Sequence, residues 1–589
     1  MKNFLKPVLL FLLVLTIYSC NKNESIDGGG TSGETNQEFE FGAQVNRDFM
    51  GVVKDQSNVA ISNATINIGT KTTQTDAKGV FIIKDATVQE RFAYIEVSKI
   101  GYLKGLKTVT PTQDVSQVNL VLLTENIQPL PLNNQIQLSN GAQVTFNGSF
   151  EDASGNAYSG VVNYSLNHID PASPTIANEM PGMLLGKTIT DDFEMLQTYG
   201  MLHVSLTDAS GNALQIASGS TAEIRMPIPS VLSGAAPATI PLWSFDEAVG
   251  YWVEDGFATK TGSEYVGTVS HFSWWNCDIN FPTEVLCLIV EDANGNPLAN
   301  VNVDLSFPGN PFPGTGISNA LGEICGVVPT NQTITYTAYD DCGNTLSTNT
   351  IGPFTNATTW INETITIPNS LALQTITGNF LDCNGSPLID GYVELSYGGY
   401  QTIQYIENGV FEISTLICNG STSGFVEGLD YNNSQSTGVI PFIFSQPISN
   451  IGTIISCNTI DEYITYQVDN EPAVTTQQIM ISAYYYDNNN NTSGFQVLAD
   501  SETSFDEVNF EIDTTAIGSY SLTDVSAPLL VISEINLNTN TTTTQNFEFI
   551  ISNFGNPTEY IDVTFSGDFT DINGVTRSIT GTIHVRRDT

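Results

Sequence analysis

The segment Glu291 to Val301, EDANGNPLANV, is followed by apolar residues at Val303, Leu305 and Phe307, and the whole unit recurs in at least three variant copies. Around Asp55 the chain reads VVKDQSNVAISNATINI, and around Asp382 it reads FLDCNGSPLIDGYVELSY. Each copy ends a strand on an acidic residue and turns through polar residues. A small or Pro-Leu pair follows, and a new strand opens with an apolar residue at every second position. Alternation with period two places those side chains on one face of a sheet. A strand, turn and strand that repeats along a chain specifies a modular all-β protein. No long segment carries apolar residues at the 3.6-residue spacing of a helix, which excludes a helical fold.

A chain of 589 residues is too long for one core, and at roughly 100–150 residues per domain it implies four to six. The 62 acidic residues outnumber the 18 basic ones, for a net charge of −44. A duplex or an anionic membrane face would be repelled, so nucleic acid is excluded as a partner. Such acidity suits an exported protein kept soluble by its charge, and secondarily one that binds Ca²⁺. The N-terminus points to export as well. Lys2 and Lys6 precede an apolar run from Pro7 to Tyr18 that is too short to span a bilayer, the pattern of a signal peptide.

That run ends in Ile17-Tyr18-Ser19-Cys20, which resembles a bacterial lipobox. The resemblance implies that Cys20 is lipidated and becomes the mature N-terminus, and several acyl chains anchor far more durably than one. Lys22 and Glu24 resemble the surface-export signal of Bacteroidetes lipoproteins, which implies a lipid-anchored protein of the outer membrane, exposed at the cell surface. The Gly-rich stretch Gly28 to Gly33 makes residues 21–45 a flexible tether. Seven further cysteines remain, at 277, 287, 325, 342, 383, 418 and 457. Without CxxC or CxxH spacing they read as disulfides, and their odd number requires at least one thiol that is free or intermolecular.

Residues 46–125 form a first module, with a turn at Asp76 to Gly79 that sends Phe81 and Ile83 to one face. Asp55, then Thr75, Asp76, Gly79 and Phe81, then Val97, Gly101 and Tyr102 resemble the signature of carboxypeptidase regulatory-like domains. That resemblance implies a seven-stranded transthyretin-like or Ig-like β-sandwich. Residues 281–370 and 371–458 read as second and third copies, with Asn319 in place of the turn Asp in one and Glu407, Asn408, Gly409 and Phe411 retained in the other. Residues 126–280 carry Trp243, Trp252, His271, Phe272, Trp274 and Asn276. They resemble a β-sandwich found after such modules in Bacteroidetes lipoproteins and in two animal families, one of them the cartilage intermediate layer proteins. Residues 459–589 alternate strands with Asn- or Gly-bearing turns such as Asp487 to Asn491 and Asp571 to Gly574, and form a C-terminal β-rich domain.

Catalytic chemistry finds little support. The four histidines, at 168, 203, 271 and 584, form no HExxH or HxH pair. The zinc motif H-x-x-E of metallocarboxypeptidases is absent, so no peptidase activity is expected despite the resemblance. Gly420 to Gly424 has Thr422 where a serine nucleophile belongs. His271 reads as structural. Asp340-Asp341 and Asp292, Asn294 and Asn296 lack the twelve-residue Ca²⁺ loop and read as solvated turns. Asp513-Thr514-Thr515 resembles the O-glycosylation acceptor of Bacteroidetes periplasmic proteins. Trp243, Trp252, Trp274 and Trp275 are the candidate ligand-binding residues, as a stacking platform for sugar, although tryptophan in such strands is more often sandwich core. The sequence therefore predicts tandem β-sandwiches acting without enzymatic activity, cofactor or metal. They would serve as a binding, adhesion or structural scaffold for an extracellular glycan or protein. The second reading is a glycan-capture accessory of a nutrient-uptake system.

Overall fold

Every copy of the repeated turn closes in the same way. The carboxylate of Asp55 accepts the backbone N–H groups of Ser57 and Val59 at 2.8 and 2.9 Å. Asp292 takes those of Asn294 and Asn296 at 2.8 and 2.9 Å, and Asp382 those of Asn384 and Ser386 at 2.9 and 2.8 Å. The fourth residue must then adopt a left-handed backbone, which Gly295 and Gly385 supply at φ of 83° and 82° and Asn58 at 68°. Asp152, Asp208 and Asp571 repeat this geometry outside the three copies. Asn319 bonds the N–H groups of Leu321 and Glu323 just as Asp76 bonds those of Lys78 and Val80, so the exchange of Asp for Asn preserves the turn.

The computed structural model describes residues 39–588 except 356–357, 368–371, 399, 407, 418–419, 460–461, 470–473, 478–480, 489–491, 500–507, 525–527, 534, 541–544 and 558–559. The signal peptide, Cys20, most of the tether, Glu407, Cys418 and part of the turn at 487–491 lie outside the described residues. From Phe39 onward the chain forms one compact unit. It is built almost wholly of strands, and Ile176–Glu179 is the one α-helix among the described residues.

The three repeats share the topology of one sheet, and the first two share that of the facing sheet as well. In the first, strand Gln44–Asp55 pairs antiparallel with Val80–Gln89 and parallel with a last strand broken into Ser116–Gln117 and Leu120–Leu122. The facing sheet runs Lys71–Gln74, Thr65–Ile68, Ala93–Ser98, Gly105–Val109. With the broken strand counted once, this is the expected seven-stranded sandwich. Phe81 and Ile83 both lie in its core, with Phe49, Ile66 and Ile95. Gly79 is required at the middle turn: its φ is 72°, and a Cβ there would sit 2.4 Å from the carbonyl oxygen of Val53. The second repeat orders its facing sheet identically as Gly314–Ile317, Asn302–Ser306, Ile334–Tyr339, Thr345–Ile351. In the third, Ala372–Leu381 pairs antiparallel with Val410–Ile417 and parallel with Ile448–Ile455.

The second domain and the second repeat share a strand. Trp274–Asp292 runs for 19 residues. Its first part pairs with Phe193–Thr207 and Thr239–Asp246, and from Thr283 it pairs with Glu323–Pro329 and Thr358–Ile365. The exchange of partners falls at Pro282, which has no N–H to give to a ladder. The boundary expected at 280/281 is thus the middle of a strand, with no linker between the two sandwiches. Disulfides join Cys287 to Cys325 across that second repeat and Cys383 to Cys457 within the third, Cys342 is also disulfide-bonded, and Cys277 is a buried free thiol.

The first sandwich is the hub of the molecule. Its Leu103, Leu106 and Leu123 pack against Trp243, Trp252 and Trp274 of the second domain. Its Gln113 N–H reaches the Glu323 carboxylate of the second repeat at 2.9 Å. Met50, Val80 and Ile82 meet Tyr392, Tyr405 and Leu429 of the third repeat. Ile550 of the C-terminal domain completes the hub's own core.

A candidate functional site where three sandwiches meet

The four tryptophans offered as a candidate ligand platform are interior, as the core reading of them requires. Trp243 and Trp252 are 0% exposed, Trp275 1% and Trp274 3%. A ring without an open face cannot stack on a sugar, so these residues are corrected to core. Their polar edges are held inside as well: the indole N–H of Trp243 donates to the Asp278 carbonyl at 3.2 Å, and that of Trp275 to the His271 carbonyl at 3.1 Å. Trp360, which the sequence reading passed over, is 44% exposed on the strand Thr358–Ile365. His203 is packed on Trp274 with ring centroids 4.9 Å apart, and burial pushes its imidazole down to about 4. His271 pairs with Asp255 at 3.1 Å near the surface.

The carboxylates considered for Ca²⁺ are engaged in the fold. Asp292 closes its turn with one oxygen and accepts the Asn296 side-chain amide with the other at 3.0 Å. Asp341 accepts the hydroxyls of Tyr397 at 2.8 Å and Thr415 at 3.3 Å, joining the second repeat to the third. Among the described residues, no three His, Cys, Asp or Glu side chains gather as metal ligands, and no helix is long and apolar enough to cross a membrane. Asp513 accepts the hydroxyl of Tyr486 at 2.9 Å.

The feature that gathers chemistry is a cleft of about 610 Å³ between the hub, the third repeat and the C-terminal domain. The C-terminal hairpin Tyr560–Thr570 and Thr576–Arg586 turns at Asp571, and its register sets Asp562 directly opposite His584. The Asp562 carboxylate is 2.6 Å from His584 Nδ1. The Asn63 side-chain amide of the hub approaches the same nitrogen at 3.4 Å. Tyr560 stacks on the imidazole at 4.2 Å and Tyr463 lies against it at 5.1 Å. Burial would raise the Asp562 carboxyl, but the His584 bond and the Lys99 ammonium outweigh it and hold the group below the usual carboxylate range. Lys99 itself is lowered by burial.

The hub and third repeat are joined beside the cleft by a second buried set of charges. Lys78 bonds Glu394 at 2.9 Å and also Glu427, while the hydroxyl of Tyr392 donates to Asp76 at 2.6 Å. Burial alone would lower Lys78 and raise Glu394, yet their mutual charge reverses both shifts. Burial pushes Asp76 up to about 6, against the Tyr392 bond and the backbone bonds of Val80 and Lys78. Tyr431 closes the seam, its hydroxyl within 3.0 Å of Thr73 and donating to the Gln74 carbonyl.

No family model matches the chain. Its sequence is similar to human cartilage intermediate layer protein 2, at 30% identity over 148 residues. The match covers 25% of this chain and 12% of that protein's length. Among solved structures, the shaft pilin SpaA of Lactobacillus rhamnosus GG is similar at 10% identity and a TM-score of 0.17, over 30% of this chain and 98% of that one. The major pilin subunit BcpA of Bacillus cereus is similar at 10% identity and a TM-score of 0.12, over 71% of this chain and 100% of that one. Likeness at that level carries no argument about function, and the fold stands on the strand pairing itself: an all-β chain of β-sandwiches.

Proposed function

We propose that this chain is a non-enzymatic binding and structural scaffold, held on the outer membrane by lipid on Cys20 and presented at the cell surface. The observation that carries the reading is the hub. One sandwich touches each of the other domains, so the chain from Phe39 onward packs as one body that holds its loops and clefts together. Its ionisable clusters serve that assembly: Lys78 with Glu394 and Glu427, Asp341 with Tyr397, and Asp76 with Tyr392. A scaffold gains from such packing because a preorganised surface loses little entropy when a partner binds. The lipobox-like Ser19-Cys20 and the acidic surface support the placement.

Two measurements test it. The Cys20→Ala variant should move from the membrane fraction to the soluble one, and unchanged membrane retention would refute the anchor. Protease added to intact cells should cleave the wild-type chain, whereas protection until the outer membrane is opened would place it on the periplasmic face. The reading as a glycan-capture accessory no longer has Trp243, Trp252, Trp274 and Trp275 to rest on, and such a role falls to the cleft.

A further inference from the structure

We propose that the cleft between the hub, the third repeat and the C-terminal domain binds a neutral saccharide. The inference rests on the binding reading above and names the ligand class of its site. At about 610 Å³ the cleft lies within the range of roughly 300–1,000 Å³ that holds small organic ligands.

The two carboxylates that line the cleft are both hydrogen-bonded within the fold. Asp76 gives one oxygen to the N–H groups of Lys78 and Val80 and the other to the hydroxyl of Tyr392. Asp430 gives one to the N–H of Asn433 at 3.0 Å and the other to its side-chain amide at 2.8 Å. Each lining carboxylate has both oxygens occupied by donors of the fold, and a net charge of −44 repels a polyanion. The lining also offers the Asn63 side-chain oxygen, the hydroxyls of Thr65 and Ser434, the acceptor lone pairs of Thr72, whose proton goes to Asn67 at 2.7 Å, and the imidazole of His584, whose Nδ1 is engaged by Asp562. Hydroxyls and amides both donate and accept, which is what a ring of sugar hydroxyls requires. The part-exposed ring of Tyr431 adds an apolar surface for its C–H faces, whereas that of Tyr560 is taken up by the His584 imidazole and the Arg586 guanidinium.

A peptide added as an extra strand fits less well. The strand Lys71–Gln74 ends its sheet beside the cleft, but Tyr431 already occupies the Gln74 carbonyl that such a peptide would need.

The test uses the mature full-length chain in detergent, with tetrasaccharides of neutral gluco-, manno-, galacto- and xylo- series, chitosan oligomers as the cationic probe and oligogalacturonate as the anionic one. Saturation-transfer NMR should report saturable binding of at least one neutral series and none of the charged ones. Thr72 is exposed, so Thr72→Trp obstructs the mouth without entering a core, and it should weaken that binding at least tenfold. Saturating sugar should also slow amide hydrogen exchange in residues 71–77. The absence of neutral binding, equal binding of a charged series, or binding indifferent to Thr72→Trp with no change in exchange at 71–77 would each overturn the proposal. Sugar binding by a protein that proves periplasmic would leave this inference standing and remove only the surface placement. Surface exposure without sugar binding would do the reverse.

Discussion

Replacing Lys78 with methionine loosens the joint between the hub and the third repeat by about 3–5 kcal/mol, because two enclosed carboxylates lose their only shared cation. Glu394 and Glu427 are 10% and 9% exposed at their side chains and converge on the same ammonium. The described residues form several separate cores, so one global unfolding curve would not isolate the effect. Hydrogen exchange in the strand Gly391–Tyr397, which carries both Tyr392 and Glu394, reads the local free energy directly. Its rates should rise on the order of 10²–10⁴-fold in Lys78→Met. The deficit should largely vanish when Glu394→Gln and Glu427→Gln are added, since no uncompensated charge then remains. A rise below threefold in the single variant would show that the pair contributes little.

Asp55→Asn should make the hub more stable at neutral pH, by up to about 3 kcal/mol, and the gain should disappear on acidification. Asp55 is 8% exposed, and burial pushes its carboxyl up to about 6. The nearby charge of Glu548 adds to the shift, while the Val59 and Ser57 N–H bonds and Lys54 oppose it. An acid whose folded pKa lies above its unfolded value contributes stability below the unfolded value, near 4, and loses that contribution as the pH rises through about 6. Asparagine keeps the oxygen that accepts the Ser57 and Val59 N–H groups and carries no charge at any pH. Exchange measured at pH 7.5 and at pH 4.5 in the strand Gln44–Asp55 separates the outcomes. A variant less stable than wild type at pH 7.5 would mean that the carboxylate charge is needed.

Much of the local architecture was legible because it depends on neighbours in sequence. The repeated Asp turn, the left-handed position after it, and the alternation that buries Phe81 and Ile83 all follow from short-range sterics and hydrogen bonding. The Asp562–His584 pair was legible in part. Counting outward from the turn at Asp571 to Gly574 sets residue 562 against 583, and the one extra residue that places Asp571 opposite Val575 moves the partner to His584. The tryptophans were ambiguous for a different reason. An aromatic on an alternating strand is equally suited to either face of a sheet, and only the hub leucines packed against Trp243 and Trp252 decide the matter. The cleft was not legible at all. Its walls come from residues more than 500 positions apart, such as Asn63 and His584, and nothing in the local pattern states which sandwich docks on which.

The strand shared by the second domain and the second repeat has a mechanical consequence. Two domains joined by a loop bend at the loop, where a few backbone torsions rotate at little cost. Here any bending about Pro282 must shear the ladder to Phe193–Thr207 on one side and the ladder to Glu323–Pro329 on the other. The Cys287–Cys325 bridge fastens the second ladder across its middle. A pull along this strand therefore loads many hydrogen bonds in parallel instead of peeling them one after another. The pair acts as a lever without a fulcrum, and tension entering one sandwich reaches the other undiminished.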